Sequence, residues 1–216
     1  YYPEPLDRCL IYAHNVEHVV ITGPGIIDGG WSGESLPTQI PGATGREALQ
    51  RPMLVRFESC TNVTINDTNL VNAFSWCVHL KYCSQVRISG VKIDNDAQDG
   101  FNIESSTDIT ISDCRLRCGD DGIALTTSRS DRPLRNLTVS NCVITSRWAG
   151  IRLGPLSKGN FENIVVSACV LHNCSGGGIK LGMFEGAVIR NCIFSDLIME
   201  NVTSPIFLLV GVWTDI

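Results

Sequence analysis

Eight apolar residues, Ile11, Val55, Val78, Phe101, Ile123, Ile151, Ile179 and Ile206, each follow a bend and begin a short strand-like run. They recur at intervals of 44, 23, 23, 22, 28, 28 and 27 residues. A second run follows: VVIT at 19–22, VTIN at 63–66, VRIS at 86–89, ITIS at 109–112, LTVS at 137–140 and IVVS at 164–167. In each of the first four coils it begins eight residues after the marker. Such runs, alternating and rich in Val, Ile and Thr between Gly, Asn, Asp and Ser, read as short strands. A unit this short cannot enclose an apolar face alone, but stacked units bury a continuous core. The register therefore predicts an all-β fold, a right-handed single-stranded parallel β-helix (solenoid) of roughly seven coils, as one domain over residues 1–216. A leucine-rich repeat would need L-x-x-L-x-L and a helical return, and neither is present. An immunoglobulin-like sandwich gives no reason for so regular a register. The 44-residue interval holds a Gly- and Pro-rich loop at about 28–53, in which GREALQR (45–51) reads as one helical turn.

Composition excludes several classes. The chain has 216 residues, 44% hydrophobic and 18% charged, enough apolar material for a core. Its formal charge is 17 − 22 = −5, which argues against a uniformly basic nucleic-acid binder. No apolar run reaches the ~18 residues of a membrane span. No basic-then-apolar leader opens the chain, and that leaves the compartment unread. The chain starts close to a coil and stops after IFLLVGVWTDI without polar caps. It is therefore expected to lack one or both terminal parts of a longer domain, or to associate end to end through an open last coil.

There are ten cysteines but no CxxC pair, which argues against a zinc site, and no other cofactor is called for. Cys114, Cys142, Cys169 and Cys192 each follow a Val/Ile-rich run and are expected to form a buried stack. Five N-x-S/T sequons occur, at Asn62, Asn66, Asn136, Asn173 and Asn201. Turn asparagines followed by strand threonines generate the same pattern.

Stacked coils lie about 4.8 Å apart, so register converts into proximity. Just before the markers stand Cys77, Gly100, Gly122, Gly150 and Gly178, a column of bends where a side chain would clash or where a flat ring could approach. One position earlier stand Trp76, Asp99, Asp121, Ala149 and Gly177, with Asp120 beside them. Like charges on adjacent rungs cost energy unless they act. If Ile123 points inward, Asp121 shares its parity and Asp120 points out, so the bend must break parity for both to reach a groove. The outward column after the markers is His79, Asn102, Ala124, Arg152 and Lys180. The neighbouring cations suit an anionic ligand beside an acid/base site.

These motifs resemble the polygalacturonases, the pectin-cleaving glycoside hydrolase family 28. The resemblance runs from about Cys9 to Trp213 and is carried by VVITGPGIIDGG (19–30), SWCVHLKYCSQVRISGVKI (75–93) and DGFNIESSTDITISDCRLRCGDDGIAL (99–125). The family's Asn-Thr-Asp-Gly and Gly-Asp-Asp motifs stand here as Ala97-Gln98-Asp99-Gly100 and Gly119-Asp120-Asp121. Its Gly-His-Gly is replaced by Trp148-Ala149-Gly150, and its Arg-Ile-Lys by Gly178-Ile179-Lys180. Arg152 and Arg147 are candidates for the lost positive charge.

The resemblance implies hydrolysis with inversion. Asp120 would be the acid, and Asp99 and Asp121 would activate water. Lys180 would bind a sugar carboxylate, Arg152 and His79 would contact substrate, and Trp76, Trp148 and Tyr82 would stack on sugar. It also implies a divergent pectic or related uronic-acid polysaccharide as partner, no metal, and a secreted or periplasmic location. Two alternatives stand beside it. One is a non-catalytic glycan-binding or structural β-helix, favoured by the missing histidine and arginine. The other is a lyase with calcium on Asp94, Asp96, Asp99 and Asp120, and Arg152 or Lys180 as base.

Overall fold

A computed structural model describes residues 9–33 and 52–211. The helical turn expected at 45–51 and most of the loop at 28–53 lie outside the described residues. The described chain is all strand and turn, arranged as three parallel sheets of eight, seven and seven strands stacked in sequence order. The first sheet runs from Cys9–His14 through Met53–Glu58, Val78–Lys81, Phe101–Glu104, Ile123–Thr126, Ala149–Leu153 and Gly177–Met183 to Ile206–Val210. Its pairing aligns Ile11, Val55, Val78, Phe101, Ile123, Ile151, Ile179 and Ile206 in one column. The parallel β-helix expected from the repeat is thus the observed fold.

The second sheet contains all six of the second runs, with Ile189–Ser195 as a seventh strand. In each, one residue near the start is skipped between paired neighbours, as between Thr61↔Ser84 and Val63↔Val86 or between Arg135↔Glu162 and Leu137↔Ile164. The skipped residues His18, Asn62, Gln85, Asp108, Asn136, Asn163 and Asn191 all have φ between 55 and 60°. Asn and Asp tolerate this left-handed geometry, and their side chains join rung to rung. Asn136 donates to Asp108 at 2.8 Å, Asn163 to Asn136 at 2.9 Å and Asn191 to Asn163 at 3.1 Å. The sequon residues Asn62 and Asn136 are therefore turn positions followed by strand threonines.

The core is a filled tube. Phe57, Ile65, Leu80, Ile88, Ile103, Ile111, Leu125 and Val139 are fully buried. Three of the expected cysteines stack where the second sheet turns into the third. There the Cys114 carbonyl accepts from Val143 and the Cys142 carbonyl from Val170. Each of Cys114, Cys142 and Cys169 donates its thiol to the carbonyl two residues back. Cys192 does not belong to this stack. It pairs with Ile164 inside the second sheet, and Leu197 precedes Ile198 at the corresponding corner. Register fixes columns, and VIRNC sits five residues early in it. All ten cysteines are free thiols.

The glycine column is structural. A Cβ on Gly122 would lie 2.4 Å from Ile144 and 2.6 Å from the Gly150 carbonyl oxygen. At the last rung, Ile206–Val210 is exposed along its whole length, an open apolar edge of the stack.

Candidate active site

The bends that enter Phe101–Glu104 and Ile123–Thr126 bring three carboxylates together. One oxygen from each of Asp99, Asp120 and Asp121 lies within 4.8 Å of the others. Asp99 and Asp121 occupy the same position one coil apart and do the same local work. Asp99 Oδ1 accepts from the Asp121 N–H at 3.1 Å, and Asp121 Oδ1 accepts from the Ala149 N–H at 3.1 Å. Asp99 Oδ2 also accepts from the Asn102 amide at 2.9 Å. Both aspartates are buried, at 2% and 1% exposure, whereas Asp120 is half-buried.

A cavity of about 250 Å³ opens beside them, lined on this side by Asp99, Asp120, Asn102 and Arg152. Asp121 does not line it. The bend leaves Asp121 with inward parity, and its second oxygen is taken by Arg152 Nε. The expectation that Asp121 reaches the groove as a free base is therefore corrected: it stands behind Asp99, held by Arg152. Arg152 offsets the anionic charge of the cluster. Arg147 does not share that role, since it meets Asp96 at 3.5 Å.

Burial dominates the electrostatics. It pushes Asp99 up to about 8, reinforced by the charge of Asp121 and opposed by Arg152. It pushes Asp121 up to about 6, opposed mainly by Arg152. Asp120 is raised as well, by burial against Arg152 and Lys180. A cluster of this kind retains a proton at pH values where an ordinary carboxyl has lost it.

His79 lies buried in the cavity wall, with Nε2 3.2 Å from Glu104 Oε2. The Trp76 ring meets it edge-on at 5.0 Å between centroids, and Trp76 lines the same cavity. Lys180 and Trp148 lie outside the cavity lining. Lys180 Nζ is 4.0 Å from the centre of the Trp148 ring and 5.1 Å from that of Phe207. The Trp148 ring lies against Gly176, where an added Cβ would come within 2.7 Å of it. Gly176 lies outside the column of Gly100, Gly122, Gly150 and Gly178, whose near neighbours are backbone carbonyls and the side chains of Cys118, Ile93, Ile144, Leu171 and Met199. Tyr82 is not open for sugar stacking, because Arg132 covers its ring at 4.4 Å and its hydroxyl bonds Ser128 at 2.8 Å.

The acidic set proposed for calcium is divided. Asp94 and Asp96 are engaged by Arg117. Only Asp99 and Asp120 of that set, with Asp121, converge. Reasoning from sequence passed over Arg56, Glu104 and the role of Asn102. The signal was available, because Arg56 pairs with His79 one rung below in the same outward column, and Glu104 lies two residues past Asn102 on the same face.

The family model for glycosyl hydrolases family 28 matches residues 4–210. The chain belongs to this family. Among curated relatives, polygalacturonase QRT2 of Arabidopsis thaliana is 27% identical over 93% of this chain and 46% of its own length. A probable polygalacturonase of Vitis vinifera is 27% identical over 89% of this chain and 41% of its own. The chain thus spans about half the length of the curated relatives it matches. Among solved structures, an exopolygalacturonase from Thermotoga maritima superposes with a TM-score of 0.84 at 24% identity, over 98% of this chain and 60% of that one. A polygalacturonase from Erwinia carotovora gives 0.78 at 20%, over 94% and 57%. In this family 28 chain the histidine of Gly-His-Gly is replaced by the buried Ala149, and Trp148, at the first glycine of that motif, lies under Lys180 outside the cavity lining.

Proposed function

We propose that the protein is a glycoside hydrolase acting on a pectic or related uronic-acid-containing polysaccharide. The observation that carries this reading is the unequal environment of three convergent carboxylates at a cavity. Asp120 is the half-exposed, raised carboxyl that protonates the leaving glycosidic oxygen. Asp99 is the lining carboxylate that takes a proton from water, oriented by Asn102 and by Asp121 behind it. Arg152 limits the repulsion among the three. Lys180, presented beside Trp148, meets a sugar carboxylate on the far side of Asp120, and His79 and Trp76 contact sugar within the cavity. The division of Asp94 and Asp96 from the cluster weighs against the calcium-dependent lyase. A secreted location goes with a wall-polysaccharide substrate.

Inversion is part of the proposal by family membership. Inverting pairs commonly stand about 6.5–9.5 Å apart, and the oxygens here are closer, so product stereochemistry is the deciding measurement. The primary test is release of new reducing ends from pectic oligosaccharides by wild type and Asp120→Asn. Cleavage by the wild type that collapses in the variant supports the reading. No cleavage of any acidic or neutral plant glycan by the wild type turns the assignment to a non-catalytic β-helix.

A further inference from the structure

The cavity and the Lys180 platform differ in how their charges are met. Every cation lining the cavity already has a carboxylate of the protein. Arg56 Nη2 is 2.8 Å from Glu58, Lys81 Nζ is 3.9 Å from Glu104, and Arg152 is paired with Asp121. Glu104 faces the same space as Asp99 and Asp120. Burial raises its carboxyl, but His79, a hydrogen bond from Ser128 and the charge of Lys81 outweigh that and hold it below the usual carboxylate range. A sugar carboxylate placed here would meet the ionised Glu104 and find each cation already facing a carboxylate of the protein. Lys180 is different: among the described residues it is held by aromatic rings and by no carboxylate within ion-pair distance.

His79 adds an independent observation. Burial is the largest influence on its ring and favours the neutral form. With Nε2–H donating to the ionised Glu104, Nδ1 is left as an acceptor. That nitrogen is buried and has no partner. A buried acceptor beside the cavity is served by any O–H or N–H donor, from water or a sugar hydroxyl, and gains nothing from an ionised carboxylate. The Trp76 ring beside His79, and Met53 elsewhere in the lining, suit the C–H face of a sugar ring.

We infer that the cavity binds an uncharged sugar residue, so that the bond cleaved joins an uncharged residue in the cavity to a uronate at Lys180. This rests on the hydrolase reading above and gives that site its specificity. The uncharged residue has two chemical sources, a neutral sugar or a uronate whose carboxyl is esterified. Homogeneous uronate chains are disfavoured, because they would set a carboxylate against Glu104.

The test uses the full chain carrying Asp120→Asn, titrated by calorimetry with three oligosaccharides of equal length. These are fully de-esterified oligogalacturonate, methyl-esterified oligogalacturonate and alternating rhamnose–galacturonate. Tighter binding of the alternating chain, by about tenfold or more over the de-esterified one, supports a neutral sugar; the same advantage for the ester supports an esterified uronate. Adding Glu104→Gln is expected to raise affinity for the de-esterified chain selectively and to narrow that gap. If the de-esterified chain binds as tightly as the others and is cleaved by the wild type, the inference is overturned while the hydrolase reading stands. If no chain is bound or cleaved, both fall.

Discussion

The Asp121 N–H donates to Asp99 Oδ1 at 3.1 Å, and the same contact repeats one coil later from Ala149 to Asp121. Two of the three carboxylates are thus built into the ladder of the solenoid. Only Asp120 owes the backbone nothing with its side chain, and this asymmetry separates a transferable proton from two fixed acceptors.

Replacing Asp120 by Asn keeps shape and removes the acid. Turnover should fall about 10²–10⁴-fold, with oligosaccharide binding little changed. Steady-state kinetics with a calorimetric affinity checks this, and unchanged turnover on a substrate that the wild type cleaves sinks the acid assignment.

Activity should follow a bell in pH with both limbs above the ordinary carboxylate range near 4. The rising limb reports proton loss from the buried Asp99–Asp121 pair, and the falling limb loss from the cluster's acid. Arg152 lowers all three carboxyls. Arg152→Gln should therefore move the rising limb to higher pH; a limb that stays in place contradicts the charge assignment.

Stability should show the opposite side of the same burial. Asp99 and Asp121 have folded values raised to about 8 and about 6, above an unfolded value near 4. Their contribution is fully present below pH 4 and is lost as pH rises through 6 to 8. Asp99→Asn should then raise the melting temperature at pH 9 more than at pH 5, by about 2–4 °C for each kcal/mol of relief. A larger gain at pH 5 than at pH 9 refutes the sign.

Lys180→Ala should weaken substrates that carry a carboxylate by about tenfold, with a smaller effect where that group is esterified. Trp148→Ala should act in the same direction through the lost support of Lys180. The two changes should be less than additive in a double-mutant cycle, since one ring contact links them. Full additivity separates Trp148 from the carboxylate site.

Proton NMR of the first product should show the inverted anomer. Retention would assign the close carboxylates to a covalent route instead.

The sequence by itself determined the stack. Because strand parity and coil length repeat, Ile123, Ile151 and Ile179 had to align, and Asp99 had to lie one rung from Asp121. Parity also foretold that Asp121 faces inward, and the bend does not release it. The sequence could equally place Cys192 with the thiol column only while its register was unknown; pairing with Ile164 decides against that. Only tertiary structure joined Arg152 to Asp121, His79 to Glu104 and Trp148 to Lys180 over Gly176. The reason is physical: register sets which backbones are neighbours, whereas side-chain rotamers, burial and competition among nearby charges choose the partners. The character of the cavity rests on those choices, since its cations are present in the sequence but their neutralisation exists only in the fold.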